Sequence, residues 1–300
     1  MVDVLDLPPP DWSHRPRPHD VRKALKLNER GLEALAAGDL ARAQHLFEEA
    51  IEVDALLGVP WFNLGLIYKL SHRWPEAALC NRRSIEHGTS DQDPAFWNLG
   101  IAATAMRDWA TARSAWTGYG VEVDAGEGPI EMDLGPVAIR LDPDGSGEVV
   151  WARRLDPARA RIENIPMPGS GHHWNDIVLH DGEQRGERAL GERMVPVFDE
   201  LELWERSGVD TWECLLVGDD EAIDHLGDRF FDAGWAMEDW TVNVRRLCRQ
   251  CSLGSVSPHN HGSLEFDPTA RHVGIASPRQ VAERLLDDWA ASSPDRRCSG

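Results

Sequence analysis

Two different patterns of apolar and polar residues divide the chain. Over residues 22–122 apolar side chains recur every three or four positions, which predicts amphipathic helices. After residue 136, short apolar runs alternate with turns that contain glycine, proline or aspartate, as is typical of strands. Residues 125–136 lie between them and are rich in glycine and acidic residues. The pattern therefore predicts a helical region, a linker, and a second domain that contains a sheet.

The helical region contains an internal repeat. Gly31, Gly65 and Gly100 lie 34 and 35 residues apart, and "WFNLGLIY" (61–68) is closely similar to "FWNLGIAA" (96–103). An alanine follows each of these glycines at a distance of twelve residues. A period of this length predicts a stack of identical supersecondary units, in which each unit packs only against its neighbours.

These residues resemble the tetratricopeptide repeat (TPR), in which each unit is a pair of antiparallel helices and the units stack into a solenoid. The resemblance covers about residues 22–122 and three units, and it departs from the family at Asn81, where an aromatic residue is usual. It implies a concave surface that is lined by the first helix of each unit. Carried onto this chain, that lining comprises Asn28, Leu32, Phe62, Asn63, Leu66, Lys69, Trp97, Asn98 and Ile101.

This surface is predicted to bind a peptide. Asn63 and Asn98 occupy equivalent places in consecutive units, and an amide can both donate to and accept from a peptide backbone. Phe62 and Trp97, one place earlier in each unit, would supply apolar pockets. The alternative is a solvated face with two fortuitous asparagines. Because the positions of the chaperone-binding carboxylate clamp hold no cation here, we exclude a dicarboxylate-clamp partner.

The second domain, residues 137–300, is predicted to have an α+β fold and is assigned to no characterised family. Its first part reads as short strands, and its second part as a β-α-β unit followed by a strand and a helix. The predicted strands cover residues 137–141, 148–155, 160–165, 176–180, 211–218, 235–244 and 271–277, and the helix between the fifth and sixth strands covers 219–234.

The stretch "LCRQCSLGSVSPHNHG" (247–262) carries a candidate metal site. Cys248 and Cys251 have the C-x2-C spacing that brings two thiolates to one ion, and His259 and His261 follow them. Four nitrogen and sulfur ligands complete a tetrahedral zinc and leave no position for water, so the sequence predicts a structural zinc clip. The alternative is a reduced cysteine pair near exposed histidines.

A second cluster follows the third predicted strand. His172, His173, Asp176 and His180 could form another metal site or an acid/base site, and the alternative is a loop with surface histidines. No phosphate-binding glycine loop, dinucleotide fingerprint or nucleophile-elbow motif occurs in the sequence. An alternative function, a zinc-dependent hydrolase or thiol redox enzyme targeted by the repeat region, therefore depends on these Cys and His residues alone.

The net charge of the chain limits the possible partners further. The net charge of −20 disfavours nucleic acid and anionic membranes, because a phosphate surface repels an acidic protein.

Residues 1–20 contain "PPP" and "RPRP", which predicts an extended or disordered segment, and residues 21–124 form the repeat domain. Neither a secretory signal nor a membrane span is predicted, so we expect a cytoplasmic, bacterial-type adaptor or scaffold protein.

Overall fold

The computed structural model describes residues 17–88, 94–143, 145, 147–241 and 270–300. The chain divides into two compact units, Met1–Met132 and Asp133–Gly300.

The first unit contains three helix pairs. Its helices are α1 (Pro18–Ala36), α2 (Leu40–Val53), α3 (Gly58–Leu70), α4 (Trp74–His87), α5 (Pro94–Ala105) and α6 (Trp109–Tyr119). The two helices of each pair pack against each other across a connection of three residues, and each pair also packs against the next pair. The TPR-like arrangement predicted from the repeat is therefore confirmed in this unit.

The repeated glycines mark the closest approach of the two helices of a pair. A Cβ atom at Gly31 would lie 2.4 Å from the ring of Phe47 on the facing helix, and one at Gly100 would lie 2.6 Å from the ring of Trp116. Real Cβ atoms do not come so close, so only glycine allows these aromatic rings to pack on the helix backbone. The glycine and the aromatic residue sixteen positions later thus form one packing unit.

The middle pair departs from this arrangement at Asn81. Its side chain lies against Gly65, where a Cβ atom would be 2.8 Å from the Asn81 Nδ2 atom. Nδ2 donates to the Ala77 carbonyl of the same helix at 2.8 Å, and the buried Oδ1 has no hydrogen-bond partner among the described residues. An amide therefore replaces the aromatic ring of the other two pairs and leaves one polar atom unsatisfied.

The second unit begins with a closed barrel of five strands. They are β1 (Gly135–Arg140), β2 (Val149–Arg154), β3 (Arg159–Ile162), β4 (Ile177–Leu190) and β5 (Arg193–Glu205). Neighbouring strands are antiparallel except β1 and β5, which pair in parallel and close the barrel. Its core consists of Val137, Ile139, Leu141, Val150, Ala152, Ala160, Ile162, Val178 and Phe198.

The prediction for β4 was wrong in extent, and β5 was not predicted. The sequence predicted a strand over residues 176–180 only, whereas β4 continues to Leu190 and pairs with β5 up to the contact between Leu190 and Arg193. The extension is polar on both faces, so it carries no alternation of apolar residues. Gly191, the first residue of the two-residue turn, has φ of 61°, which glycine adopts without strain.

A β-α-β-β-α-β plait follows the barrel. Its elements are β6 (Thr211–Val217), α7 (Asp220–Asp232), β7 (Ala236–Asp239), β8 (Arg271–Ala276), α8 (Arg279–Ala291) and β9 (Arg297–Ser299), with sheet order β7-β8-β6-β9. This element order is called ferredoxin-like. Both helices pack on one face of the sheet around Leu216, Leu226, Phe230, Ile275 and Trp289. The α+β fold is confirmed, and β9 is an addition that the sequence pattern did not predict.

Trp240 connects the plait to the barrel. Its ring is almost completely buried with Ile165 and Ala276, and its Nε1 donates to the Ile165 carbonyl at 3.1 Å. The ring lies directly over Gly274 of β8, where a Cβ atom would be 2.2 Å from it. The barrel and the plait thus share a small core that depends on a glycine.

Candidate functional site

The polar residues predicted to line the concave surface bond to one another. Asn63 Nδ2 donates to Asn28 Oδ1 at 2.8 Å, and Lys69 Nζ donates to Asn98 Oδ1 at 3.1 Å. All four side chains are only 4–7% exposed. The first bond joins α1 to α3, and the second joins α3 to α5. These side chains therefore connect the first helices of successive helix pairs.

In the third helix pair, α5 and α6, the predicted lining residues take part in packing. Ile101 is fully buried. The ring of Trp97 is half-buried and meets Trp116 and Tyr119 of α6 edge-on, with centroid distances of 5.1 and 5.0 Å. These contacts lie within the third helix pair, so the open part of the surface is formed by the first two pairs.

Six apolar side chains follow the first helices of those two pairs, and we call them the apolar stripe. Leu25 and Leu32 of α1 are 39% and 42% exposed, and Val59 and Leu70 of α3 are 49% and 46% exposed. Phe62 and Leu66 of α3 are partly exposed between the latter two. On α3 the spacings are three and four residues, so the four side chains share one helix face. Leu25 and Leu32, seven residues apart, likewise share a face of α1.

The sequence identified only half of this stripe. Leu32, Phe62 and Leu66 were predicted to line the surface, whereas Leu25, Val59 and Leu70 were not. Val59 and Leu70 could have been found from their helical spacing, since they lie three residues before and eight residues after Phe62. Both are apolar residues, which a solvated helix face would not usually carry. Their exposure, however, is a property of the packed helices.

Three exposed cations flank one end of the apolar stripe. Arg22, Lys23 and Lys26 lie within two turns of α1 around Leu25. The helix begins at Pro18, so the positive end of its dipole lies on the same side. In a chain with a net charge of −20 this is a local reversal of sign. The stripe therefore combines an apolar face with a basic end.

In the second unit, His172 forms a buried ion pair with Glu200. Its Nε2 lies 2.6 Å from Glu200 Oε1 and its Nδ1 lies 2.9 Å from the Ser170 carbonyl oxygen. Both partners accept hydrogen bonds, so this geometry favours the protonated imidazole, in which both ring nitrogens donate. Burial lowers the pKa of His172, but the hydrogen bond and the charge of Glu200 raise it more, and the net pKa lies above the usual 6.5.

We expect this pair to make the stability of the second unit depend on pH. A raised folded-state pKa means that the contribution of His172 is complete below pH 6.5 and is lost as the pH rises through the folded-state pKa. As the pH rises above 6.5, the unfolding free energy of the wild type should therefore fall more than that of His172→Gln. Denaturant unfolding at several pH values measures the difference.

His180 provides the control for this experiment, because its shift has the opposite sign. Burial, aided by the charge of Arg154, lowers the pKa of His180 to about 4. Its effect on stability is therefore confined to pH values below 6.5 and cannot imitate that of His172. Parallel pH profiles of the wild type and His172→Gln above pH 6.5 would contradict the ion pair.

Asp176 and His173 have structural partners. Asp176 is fully buried, and its carboxylate accepts the backbone N–H of Ser207 at 2.7 Å and that of His173 at 2.9 Å. The His173 Nδ1 lies 3.2 Å from Thr211 Oγ1. Asp176 thus holds the loop before β4 against the segment that follows β5.

His180 lies inside the barrel, which the surface-histidine alternative did not predict. Its ring stacks on Phe198 with a centroid distance of 5.1 Å, and Nδ1 donates to the Asp181 carbonyl at 2.8 Å. The side chains of His172, His173, Asp176 and His180 therefore bond to different groups. Within the part of the chain that the structure describes, no group of three or more His, Cys, Asp or Glu side chains is arranged to hold a metal ion.

The cysteines fall into two sets. Cys248 and Cys251, with His259 and His261, lie outside the described residues. The three described cysteines are Cys80, Cys214 and Cys298, and burial raises the pKa of each thiol, that of Cys214 to about 12. These three are therefore protonated at neutral pH and are poor nucleophiles.

A search of solved structures finds TPR domains that match about a third of this chain. The second TPR domain of Spaghetti (RPAP3), solved with an HSP90 peptide, is 20% identical with a TM-score of 0.32 and covers 34% of this chain and 93% of that one. The N-terminal domain of stress-induced protein-1 from C. elegans is 17% identical with a TM-score of 0.32, covering 34% and 89%. The Sgt2 TPR domain from Aspergillus fumigatus is 22% identical with a TM-score of 0.31, covering 37% and 70%.

No protein-family model matches the chain, and no curated protein matches it. Among the described residues, we find no helix with the length and apolar character that crossing a membrane requires.

Proposed function

We propose that the protein is an adaptor that binds a peptide or protein segment of a partner on the exposed face of its first two helix pairs. The observation that carries the proposal is the apolar stripe, in which side chains such as Leu32 and Val59 are more than 40% exposed on adjacent helices. Contiguous apolar surface of this kind typically marks an interaction site. Its removal from water supplies the driving force for binding.

The asparagines contribute to this site by holding its helices together. Asn63 bonds to Asn28 between α1 and α3, and this bond fixes the spacing of the two helices that carry the stripe. Asn98 and Lys69 do the same between α3 and α5. In this proposal the apolar side chains contact the partner, and the amides hold the helices that carry them.

The proposal is tested with peptides selected by phage display against the full-length protein. We expect Leu66→Asp and Leu32→Asp each to weaken the selected peptides at least about tenfold, because a carboxylate in the stripe must be desolvated on binding. Fluorescence anisotropy measures the dissociation constants. Phe231→Asp is the matched control, since Phe231 is 80% exposed on α7 of the second unit. Peptides that bind all variants equally would refute the proposal.

The second unit is proposed to contain a structural zinc held by Cys248, Cys251, His259 and His261. The support is the donor set itself, two thiolates and two imidazoles within fourteen residues, which suits tetrahedral zinc. In this proposal, the metal has no open coordination position for water.

The alternative function, a zinc-dependent hydrolase or thiol redox enzyme, has no support among the described residues. The histidines and the aspartate that could have completed its site, His172, His173 and Asp176, have structural partners instead. The raised thiol pKa values of Cys80, Cys214 and Cys298 do not favour redox chemistry there.

A further inference from the structure

We infer that the apolar stripe binds an amphipathic helix with acidic residues at one end. This inference rests on the proposed function and specifies the conformation and the charge of the partner. Three observations carry it: the pairing of the polar side chains, the length of the stripe, and the cations around Leu25.

The first observation concerns the backbone of the bound segment. An extended peptide needs partners for its own N–H and C=O groups when it leaves water, and each unpaired group costs free energy. The predicted partners were Asn63 and Asn98, but these are almost completely buried and bond to Asn28 and Lys69. The apolar stripe itself offers no hydrogen-bonding side chain. A helix suits such a surface, because it satisfies its own backbone groups.

The second observation is the length of the surface. From Val59 to Leu70 the stripe extends over eleven residues of α3, which at about 1.5 Å per residue is roughly 16 Å. Leu25 and Leu32 run beside it on α1, which adjoins α3 through the Asn28–Asn63 bond. Two adjacent helices with exposed apolar side chains can form a groove into which a third helix packs. A partner helix of about three turns, with apolar residues three and four positions apart, matches this length.

The third observation concerns the charge of the partner helix. Arg22, Lys23 and Lys26 are exposed around Leu25, and the N-terminus of α1 adds the positive end of a helix dipole. Asp20 and Glu29 of α1 lie three residues from Lys23 and Lys26, so this end carries three cations against two carboxylates and keeps a net positive charge. Acidic side chains on the partner would be attracted to this end, and basic ones would be repelled.

The inference is tested with four synthetic peptides of about fifteen residues, a length that spans the groove as a helix. The first is amphipathic, with leucines three and four residues apart and glutamates at one end. The second has the same composition in a permuted order without an apolar face, and the third has a central proline that prevents a helix. The fourth has lysines in place of the glutamates. Fluorescence anisotropy with the full-length protein gives each dissociation constant, and circular dichroism follows helix formation.

We expect the acidic amphipathic peptide to bind at least about tenfold more tightly than the permuted and proline peptides. Leu66→Asp and Leu32→Asp should remove this preference, and Phe231→Asp should leave it unchanged. Tight binding of the proline peptide that Leu66→Asp abolishes would overturn the helix and leave the proposed function intact. Failure of all four peptides would also overturn the helix, while the display-selected peptides still decide the proposed function.

The charge is tested separately. At low salt the acidic peptide should bind several-fold more tightly than the lysine peptide, and the difference should shrink at about 0.5 M salt because exposed charges are screened. The double variant Arg22→Glu with Lys26→Glu should reverse the order of the two peptides. Both residues are exposed, so the variant should keep the melting temperature of the wild type. Equal binding of the two peptides at low salt would overturn the acidic end.

Discussion

Replacement of Gly274 by alanine should destabilise the second unit by about 3 kcal/mol, which corresponds to a decrease of roughly 6–12 °C in its melting temperature. The added methyl group would lie 2.2, 2.5 and 2.8 Å from atoms of the Trp240 ring. That ring is 1% exposed and is held by its bond to the Ile165 carbonyl, so it cannot move aside without losing the contact between barrel and plait. Thermal unfolding followed by tryptophan fluorescence measures the change.

Gly227→Ala is the matched control, because it adds the same methyl group to the same unit. Gly227 lies inside α7, and a Cβ atom there would meet Met237 at 3.5 Å, an ordinary contact. Since alanine favours a helix interior over glycine, this variant should be more stable by about 0.5–1 kcal/mol. A melting temperature for Gly274→Ala equal to that of the wild type would show that Trp240 does not cover Gly274.

A double variant distinguishes the clash from a general effect of alanine. Trp240→Leu by itself should destabilise the unit, because it removes a large buried ring. Combined with Gly274→Ala, it should cost less than the sum of the two single changes, since the clash disappears with the ring. Additive losses would indicate that the two positions do not interact.

Loss of the proposed zinc should have the second large effect. We expect one zinc per chain by mass spectrometry of protein purified without chelator or affinity-tag histidines, and none in Cys251→Ser. Structural zinc contributes about 10–16 kcal/mol of binding free energy in small zinc domains, so its loss from a larger domain should still cost several kcal/mol. Thermal unfolding of both proteins, with and without added zinc, measures that cost.

Cys298→Ser is the control for the metal experiment, because Cys298 lies at the β9 edge and is not one of the proposed ligands. It should retain the zinc. Zinc lost from Cys251→Ser without any loss of stability would assign the metal a functional role and favour the enzyme. A wild-type protein that contains no metal would reject the clip.

The repeat region shows how far sequence reasoning reaches. The spacing of Gly31, Gly65 and Gly100 predicted three helix pairs, and the packing of Phe47 and Trp116 on two of these glycines explains why the spacing is informative. Close packing of the two helices of a pair requires a small residue at a fixed sequence distance from a large one. This constraint therefore appears as a regular spacing in the sequence.

The strands were predictable only where one face is buried. β1, with its buried Val137 and Ile139, followed the expected pattern. The polar half of β4 and the three-residue β9 did not, because ladder hydrogen bonds hold such segments and leave no apolar period in the sequence. Their existence depends on a partner strand that is already in place.

The hydrogen-bond partners of the candidate site could not be predicted from the sequence. The family resemblance implied that Asn63 and Phe62 line one surface, whereas in the structure Asn63 is almost completely buried and bonds to Asn28. Whether Asn63 faces a ligand or another side chain depends on the distance to Asn28, which is 35 residues away in the chain. Similarly, nothing near His172 in sequence indicates that Glu200 is its partner.

By itself, the sequence determined the helical repeat, the change to strands after residue 136, and the acidic character of the chain, because these follow from local periodicity and composition. Only the tertiary structure decided that the asparagines bond to one another, that His180 is buried in the barrel, and that Leu25, Val59 and Leu70 remain exposed. The physical reason is that exposure and hydrogen-bond partners are set by residues distant in sequence, which only the packed chain brings together.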